Sequence, residues 1–177
     1  MAIVYKQLQT PRLLLRRPVE ADIPAIVEKA NDWDVVRRLG RLPFPYGAAD
    51  ARFFLDHVVP NEYVWAITRR ETGAFLGAVG LTAAPEGNTA ELGYWLGRAH
   101  WRQGIATEAA RAAVDAAFDD LGFSGLTSGY FADNPASGRV LAKLGFVETG
   151  RAERPCQAVG TPQPSVELTL PKASARR

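Results

Sequence analysis

The spacing of apolar and polar residues changes character most sharply within residues 91–109. Residues 91–96 form a short, aromatic-rich run containing Tyr94 and Trp95, which predicts a strand. From Gly104 onward Ile105, Ala109, Ala113, Ala117 and Leu121 recur at helical spacing, while Glu108, Arg111, Asp115 and Asp119 form the opposite, polar stripe. A chain that passes through Arg102-Gln103-Gly104-Ile105-Ala106 into a helix directs several unpaired N–H groups at one spot, where the helix dipole adds about half a positive charge. Glycine and alanine there let a phosphate approach the backbone closely, so the turn is expected to be a pyrophosphate cradle.

The same pattern divides the rest of the chain. Residues 12–17 predict a first strand, with Leu13 and Leu15 on one face and Leu14 on the other, ended by Pro18. Residues 21–30 predict a helix with Pro24 tolerated in its first turn and Ile23, Ile26, Val27 and Ala30 on one face; residues 31–38 add a short helical turn. Pro43 and Pro45 disfavour helix before them, so 42–46 should be extended. An amphipathic helix over 48–59 carries Phe53, Phe54 and Val58 and stops at Pro60. Residues 63–68 and 75–82, joined through Gly73, predict a hairpin, and a turn at 85–88 leads into the strand at Glu91, giving three consecutive antiparallel strands.

After Gly122, residues 126–132 predict a strand. A helix follows, with Asn134 at its N-cap, Pro135 at its first position and Gly145 just past its end. Two closing strands at 146–150 and 166–170 flank a loop containing Pro155, Gly160, Pro162 and Pro164 that is expected to be irregular. The strand–helix–strand over 91–132 is a crossover, so its two strands should run parallel. With no internal repeat and no linker, residues 1–171 are expected to form one domain and residues 172–177 a short flexible tail.

Composition and charge remove several classes of function. The chain is 47% hydrophobic and 23% charged, as in an ordinary soluble globule, and its 177 residues suffice to bury about two thirds of the unfolded surface. A net charge of +2, with 17 arginines and four lysines scattered along the chain, indicates neither a nucleic-acid nor an anionic-membrane partner. No stretch approaches the roughly 20 apolar residues of a membrane span, and the N-terminal residues do not read as a signal peptide, so a cytoplasmic location is expected. Cys156 is the single cysteine, which excludes an internal disulfide and suits a reducing compartment; with His57 and His100 it gives no metal-ligand spacing, so no metal is expected.

The cradle matches neither common nucleotide motif. No Gly-Lys-Ser/Thr triplet occurs, so there is no P-loop, and Gly104 has no glycine two residues before it, as the dinucleotide fingerprint requires. The stretch resembles motif A of the GNAT superfamily of N-acetyltransferases, Gln/Arg-x-x-Gly-x-Gly/Ala. Gly104 and Ala106 occupy its last two fixed positions, while Trp101 stands where Gln or Arg is usual. The run Trp-Arg-Gln-Gly-Ile-Ala-Thr-Glu-Ala and the opening Thr-Pro-Arg-Leu-Leu-Leu-Arg are similar to the RimJ/RimL subgroup (ribosomal-protein-alanine N-acetyltransferase type), which acetylates protein N-termini. Asn134-Pro-Ala-Ser through Leu144-Gly-Phe146 resembles a second family segment, Asn-x-x-Ser/Ala…Leu-Gly-Phe.

This resemblance spans almost the whole chain and implies an α+β (mixed α/β) GNAT fold: a mainly antiparallel sheet of about seven strands, a splayed parallel pair at its centre, and helices on both faces. It also implies acetyl-CoA as acyl donor, held by Tyr94, Trp95 and Leu96 along the pantetheine arm and by the backbone of Arg102, Gln103, Gly104, Ile105, Ala106 and Thr107 at the pyrophosphate. Asn134 would reach the arm from the other parallel strand, besides capping its helix. Many family members carry a tyrosine seven residues after this asparagine, where this chain has Leu141, and some carry a glutamate five residues before it, where this chain has Gly129.

Ser137 is therefore the candidate acid, with simple helix capping as its alternative, and Glu91 the candidate base, through a water, with a solvated carboxylate as its alternative. Tyr130, Asp133, His57 and Glu167 are weaker candidates, and Cys156 as a nucleophile weaker still. Trp33, Phe44, Tyr46 and Phe53 form either an acceptor wall or a local core. Deprotonating a lysine side chain at pH 7 costs about 4.6 kcal/mol, an α-amine only about 1 kcal/mol, so a site without a strong base suits an N-terminal α-amine. The expected partners are acetyl-CoA and an amine acceptor, attacked directly in a ternary complex by a monomer or homodimer. A small-molecule amine acceptor and a non-catalytic acyl-CoA-binding domain are the alternatives.

Overall fold

The computed structural model describes residues 3–173. In it β1 (Leu8–Gln9) and β2 (Leu13–Arg16) precede three short helices, α1 (Ile23–Ala30), α2 (Trp33–Val36) and α3 (Ala48–Phe53). The antiparallel run β3 (Tyr63–Arg69), β4 (Phe75–Ala83) and β5 (Thr89–Leu96) follows, then α4 (Ile105–Asp119), β6 (Gly125–Phe131), α5 (Pro135–Lys143), β7 (Val147–Arg154) and β8 (Gln163–Pro171). Among the described residues the eight strands form one sheet in the order β1-β2-β3-β4-β5-β6-β8-β7.

Alternation along the strands explains the layers. Leu13, Leu15, Trp65, Ile67, Leu81 and Leu92 are buried on one face with Ile105, Ala109, Ala113 and Ala117 of α4, the helical stripe expected from sequence. Ala66, between Trp65 and Ile67, faces the other way and joins Ile26, Ala30, Ala51 and Phe75 beneath α1 and α3. Helices thus cover both faces.

The expected parallel crossover is present: β5 and β6 pair in parallel from Thr89↔Gly125 to Glu91↔Thr127. All other pairings in the sheet are antiparallel. Beyond Glu91 the two strands part. Ser128, buried at 2% exposure, donates its hydroxyl to the Leu92 carbonyl at 2.8 Å and so satisfies the first acceptor that the ladder no longer serves.

Several expectations need correction. Residues 8–9 add a two-residue strand, too short to show a period, which makes eight strands rather than about seven. The helix expected over 21–30 opens as a 3₁₀ turn at Glu20–Asp22, and the one expected over 48–59 is α-helical only to Phe53, after which Phe54–Val58 widen into a π turn with Val59 N–H on the Phe54 carbonyl at 3.0 Å. Residues 42–46 carry no helix, in keeping with Pro43 and Pro45, and no strand ladder either. The closing strands are longer than expected, so Pro164 lies inside β8, opposite Glu153, rather than in the loop. β7 hides from a periodicity reading because it is a sheet edge with nearly every residue exposed. Of the expected tail, Lys172 is held by its N–H on the Ser124 carbonyl (3.1 Å) and its Nζ on the Phe118 carbonyl (2.6 Å), and residues 174–177 lie outside the described residues.

Candidate active site

Where β5 and β6 part, a cleft of about 1110 Å³ opens, walled by the C-terminal half of β5, the start of α4, the start of α5 and the segment after α2. Over Gly93–Leu96 β5 pairs with β4 alone, from Gly80↔Gly93 to Gly77↔Leu96, so its other edge faces the cleft without a strand partner. Trp101 closes the far end of that edge, its indole N–H donating to the Leu96 carbonyl at 2.9 Å.

The turn into α4 is built as an anion cradle. Gly104 sits at the N-cap with φ +74°, in the left-handed region where glycine is unstrained, and Arg102 also has a positive φ of 61°. Arg12 from β2's leading edge braces the turn: Nη1 donates to the Gln103 carbonyl (2.9 Å) and Nε to Glu108 (2.6 Å). Glu108, in the first turn of α4, also accepts from the Thr10 hydroxyl (2.6 Å) and the Arg12 N–H (3.0 Å). Partial burial pushes its pKa up, but these donors and the Arg12 charge outweigh that and hold the carboxyl below its usual range. The carboxylate is thereby neutralised by Arg12 beside the anion cradle.

Tyr94, Trp95, Leu96, Arg102, Gly104, Ile105, Ala106, Thr107 and Asn134 all line the cleft, together with Glu91 and Ser137. Gln103 does not; its amide nitrogen donates outward to the Ala99 carbonyl at 3.0 Å. Asn134 occupies the N-cap position as expected, but its side chain makes no capping hydrogen bond. Ser137 is more than a cap: its Oγ lies 2.9 Å from the Tyr94 hydroxyl, which also donates to the Ser137 carbonyl at 3.1 Å. Burial raises the Tyr94 pKa to about 12 despite the Ser137 hydrogen bond, so the phenol stays protonated throughout the neutral range. A phenol so weakly acidic cannot usefully hand its proton to a thiolate of pKa near 8.5. The Tyr94–Ser137 pair is suited to stabilise negative charge by hydrogen bonding.

Glu91 is not simply solvated. Arg154 of β7 donates Nη1 to its Oε1 at 2.6 Å and grips Glu167 of β8 through Nε (2.7 Å) and Nη2. The Arg154 hydrogen bonds draw the Glu167 pKa down, against partial burial, with help from the Ser165 hydroxyl. The guanidinium occupies the space that a side chain at position 129 would need: a Cβ on Gly129 would stand 2.9 Å from Arg154 Cζ.

Of the remaining candidates, Tyr130 and Asp133 also line the cleft, the Tyr130 ring packing beneath α5 against Gly138 and Asp133 pairing with Arg37 at 2.9 Å, while His57 lies outside it, stacked on Phe53 with centroids 4.5 Å apart. Cys156 is 2% exposed with Sγ 3.4 Å from the Leu39 carbonyl, an inert setting rather than a nucleophile's. Of the four aromatics, Tyr46 and Phe53 line the cleft. Trp33 and Phe44 instead pair edge-to-face at 5.4 Å outside it. Among the described residues no group of three or more His, Cys, Asp or Glu could hold a metal, and no helix is long and apolar enough to cross a membrane. The residues that sequence reasoning missed are Arg154, Ser128 and the Tyr94 side chain. Tyr94 was readable only as backbone, and the other two gain meaning from strands paired across the splay.

Comparison with known proteins agrees with this geometry. The model of the Acetyltransferase (GNAT) domain family matches residues 12–147. The uncharacterized N-acetyltransferase YoaA of Bacillus subtilis (strain 168) is 33% identical over 165 residues, which cover 90% of this chain and 93% of YoaA. Among solved structures, ribosomal-protein-S5-alanine acetyltransferase of Vibrio fischeri superposes with a TM-score of 0.81 at 16% identity, covering 98% of this chain and 100% of that one. Spermidine N-acetyltransferase of Vibrio cholerae, in complex with CoA and spermine, also gives 0.81 at 18% identity, covering 95% and 100%. At those identities the two structures speak to the fold alone. The matched family model and the YoaA relative, taken with the splayed strands and the cradle between them, show that this chain belongs to the GNAT family and is an acetyltransferase.

Proposed function

We propose that this protein is an acetyl-CoA-dependent N-acetyltransferase of RimJ/RimL type that acetylates the N-terminal α-amine of a protein or peptide by direct attack in a ternary complex. The observation that carries the cofactor assignment is the unpaired edge of β5 leading to the Gly104 cradle: a peptide-like arm fits the first, a diphosphate the second. In this reading the backbone of 94–96 and Asn134 hold the pantetheine arm, and the amides around Gly104–Thr107, with Arg102 beside them, face the diphosphate. Bound acetyl-CoA supplies an activated acetyl thioester. The rest falls to the chain's own residues. Glu91, with only one carboxylate oxygen held by Arg154, takes the amine proton through a water at the other. Ser137, backed by the protonated Tyr94, hydrogen-bonds the sulfur as it departs. Residues 1–171 form the single catalytic domain, acting in the cytoplasm as monomer or homodimer.

Deprotonation at pH 7 costs about 4.6 kcal/mol for a lysine side chain and about 1 kcal/mol for an α-amine, which favours an α-amine already partly neutral. Calorimetry with acetyl-CoA and a thiol-release assay over peptides, polyamines and amino acids test the assignment. Peptides with free N-termini should be turned over fastest; a lysine side chain or a polyamine turned over faster than a matched N-terminus refutes the acceptor, and no binding of acetyl-CoA refutes the cofactor.

The ion-pair network gives a pH signature. Glu167 has a lowered pKa, so its contribution to stability is present above the ordinary glutamate range and is lost as pH falls through the lowered value. Arg154→Met removes that contribution and leaves Glu91 and Glu167 facing each other uncompensated. Its Tm should lie several degrees below wild type at pH 7, and the gap should close as pH drops below about 4. A Tm gap that stays constant from pH 7 to pH 3 removes the network from this role.

A further inference from the structure

Two of the arginines that line the cleft, Arg41 and Arg154, are spent on carboxylates, as is Arg37, the chain neighbour of Arg38. Arg41 pairs with Glu62 at 2.8 Å, Arg154 with Glu91 and Glu167, and Arg37 with Asp34 and Asp133. Arg38 is different. Among the described residues its guanidinium makes no hydrogen bond and no ion pair, and its Nε–H is buried without any partner. Asp34, a carboxylate that feels its charge, has both oxygens engaged, one by Arg37 (3.2 Å) and one by Arg98 (3.0 Å). Buried unpaired donors on a charged group are rare in folded proteins and call for an explanation.

The placement of Arg38 supplies one. It lies in the segment just after α2, lines the same cleft, and stacks on the Trp101 ring with Cζ 4.8 Å from the ring centroid. Trp101 is a fixed platform, because its indole N–H is held by the Leu96 carbonyl. The platform stands at the junction of the open β5 edge and the cradle turn. A guanidinium lying on an aromatic face keeps its N–H edges free in its own plane, the geometry that takes two oxygens of one anion side by side.

We propose that Arg38 is an anion anchor of the cleft, a binding residue that receives an oxyanion of a bound ligand beside the Trp101 platform. This rests on the acetyltransferase reading of the cleft. Two ligands carry the required chemistry there: the diphosphate of coenzyme A and a carboxylate on the acceptor. In either case Arg38 ties the segment that leads to the acceptor wall at Tyr46 to a ligand lying along β5, so loading the cleft also shapes the acceptor side.

The test uses the full chain and two variants, Arg38→Met, which keeps the stem on Trp101 without charge, and Arg38→Lys, which keeps charge without the planar fork; circular dichroism and Tm confirm that each is folded. Coenzyme A and pantetheine, which has no phosphate, are titrated by calorimetry. KM and kcat are then measured for peptide or amino-acid acceptors and their amides. If the anion is the diphosphate, Arg38→Met weakens coenzyme A tenfold or more and leaves pantetheine unchanged, with Arg38→Lys between. If it is the acceptor's carboxylate, coenzyme A binding is unchanged and KM rises tenfold or more for acceptors bearing a carboxylate but not for their amides, with kcat retained. Changes below twofold in both arms overturn the anchor while leaving the acetyltransferase reading intact. A wild-type protein that binds neither coenzyme A nor pantetheine overturns the reading and the anchor with it.

Discussion

Gly104→Val should lower the affinity for coenzyme A by about 100-fold or more while the protein remains folded. Two costs combine. At φ +74° a β-branched residue is strained by about 1–2 kcal/mol, which the helix start relieves by turning its first amides out of alignment. The new Cβ itself makes only an ordinary contact, 3.4 Å from Arg12 Nη2, so the second cost is the valine bulk set where a phosphate must approach the backbone closely. Losing two hydrogen bonds from backbone amides to a charged phosphate at about 1.5–3 kcal/mol each reaches the stated factor. Ala106→Val, in a helical conformation, adds bulk without strain and should have a smaller effect of the same sign. Calorimetry with coenzyme A measures both; unchanged affinity in Gly104→Val removes the diphosphate from this turn.

The largest stability effect should come from Gly77→Ala, outside the cleft. The β3–β4 pairing slips at this point, with Ile67 opposite Gly77 and Thr68 opposite Phe75, so Leu76 is an extra residue in the ladder. The slip brings β4 so close to β5 that a Cβ on Gly77 would lie 2.1 Å from the Trp95 carbonyl oxygen and 2.8 Å from Leu96 Cα. Those atoms are backbone in mid-sheet and cannot swing aside as a flexible side chain can. Overpacking of this kind costs about 3 kcal/mol, which for a chain of this size lowers Tm by about 6–12 °C. Because the displaced segment is the edge assigned to the pantetheine arm, the pantetheine affinity should fall with it. A thermal melt within 2 °C of wild type would mean that the strands tolerate a spacing the structure does not show.

What could be read from the chain beforehand was what is written locally. Gly104, Ala106 and the Ile105–Ala109–Ala113–Ala117 stripe carry the cradle and its helix in consecutive residues, and the period-2 strands around Leu13, Trp65 and Leu92 carry the core. Pro135 and Gly145 bounded α5 correctly because helix starts and stops are set within a few residues, and Asn134 holds the N-cap position without a side-chain cap bond. The network around Glu91 was out of reach. Arg154 lies 63 residues away on an edge strand with no apolar face, and only the pairing of β8 with both β6 and β7 brings it over Gly129. Arg38 was equally silent, since an arginine after a short helix looks solvated until its lack of a partner is seen in three dimensions. The aromatic group split for a related reason: Trp33, Phe44, Tyr46 and Phe53 are close in sequence, but a turn and a short helix send only two of them toward the cleft.

The strand order has a consequence for the chain as it is made. β8, the last strand of this sheet in chain order, is inserted between β6 and β7 and pairs with β6 over seven positions, from Gly125↔Pro171 to Phe131↔Ser165. Until it arrives, the second wall of the cleft has no neighbour on its outer side, and Arg154 lacks Glu167. A nascent chain arrested anywhere before β8 would carry the complete cradle sequence, yet the cleft could not close around a cofactor. A ligand of this cleft can therefore stabilise the fold only once β8 has emerged and docked, so filling the cleft doubles as a check that this strand is in place.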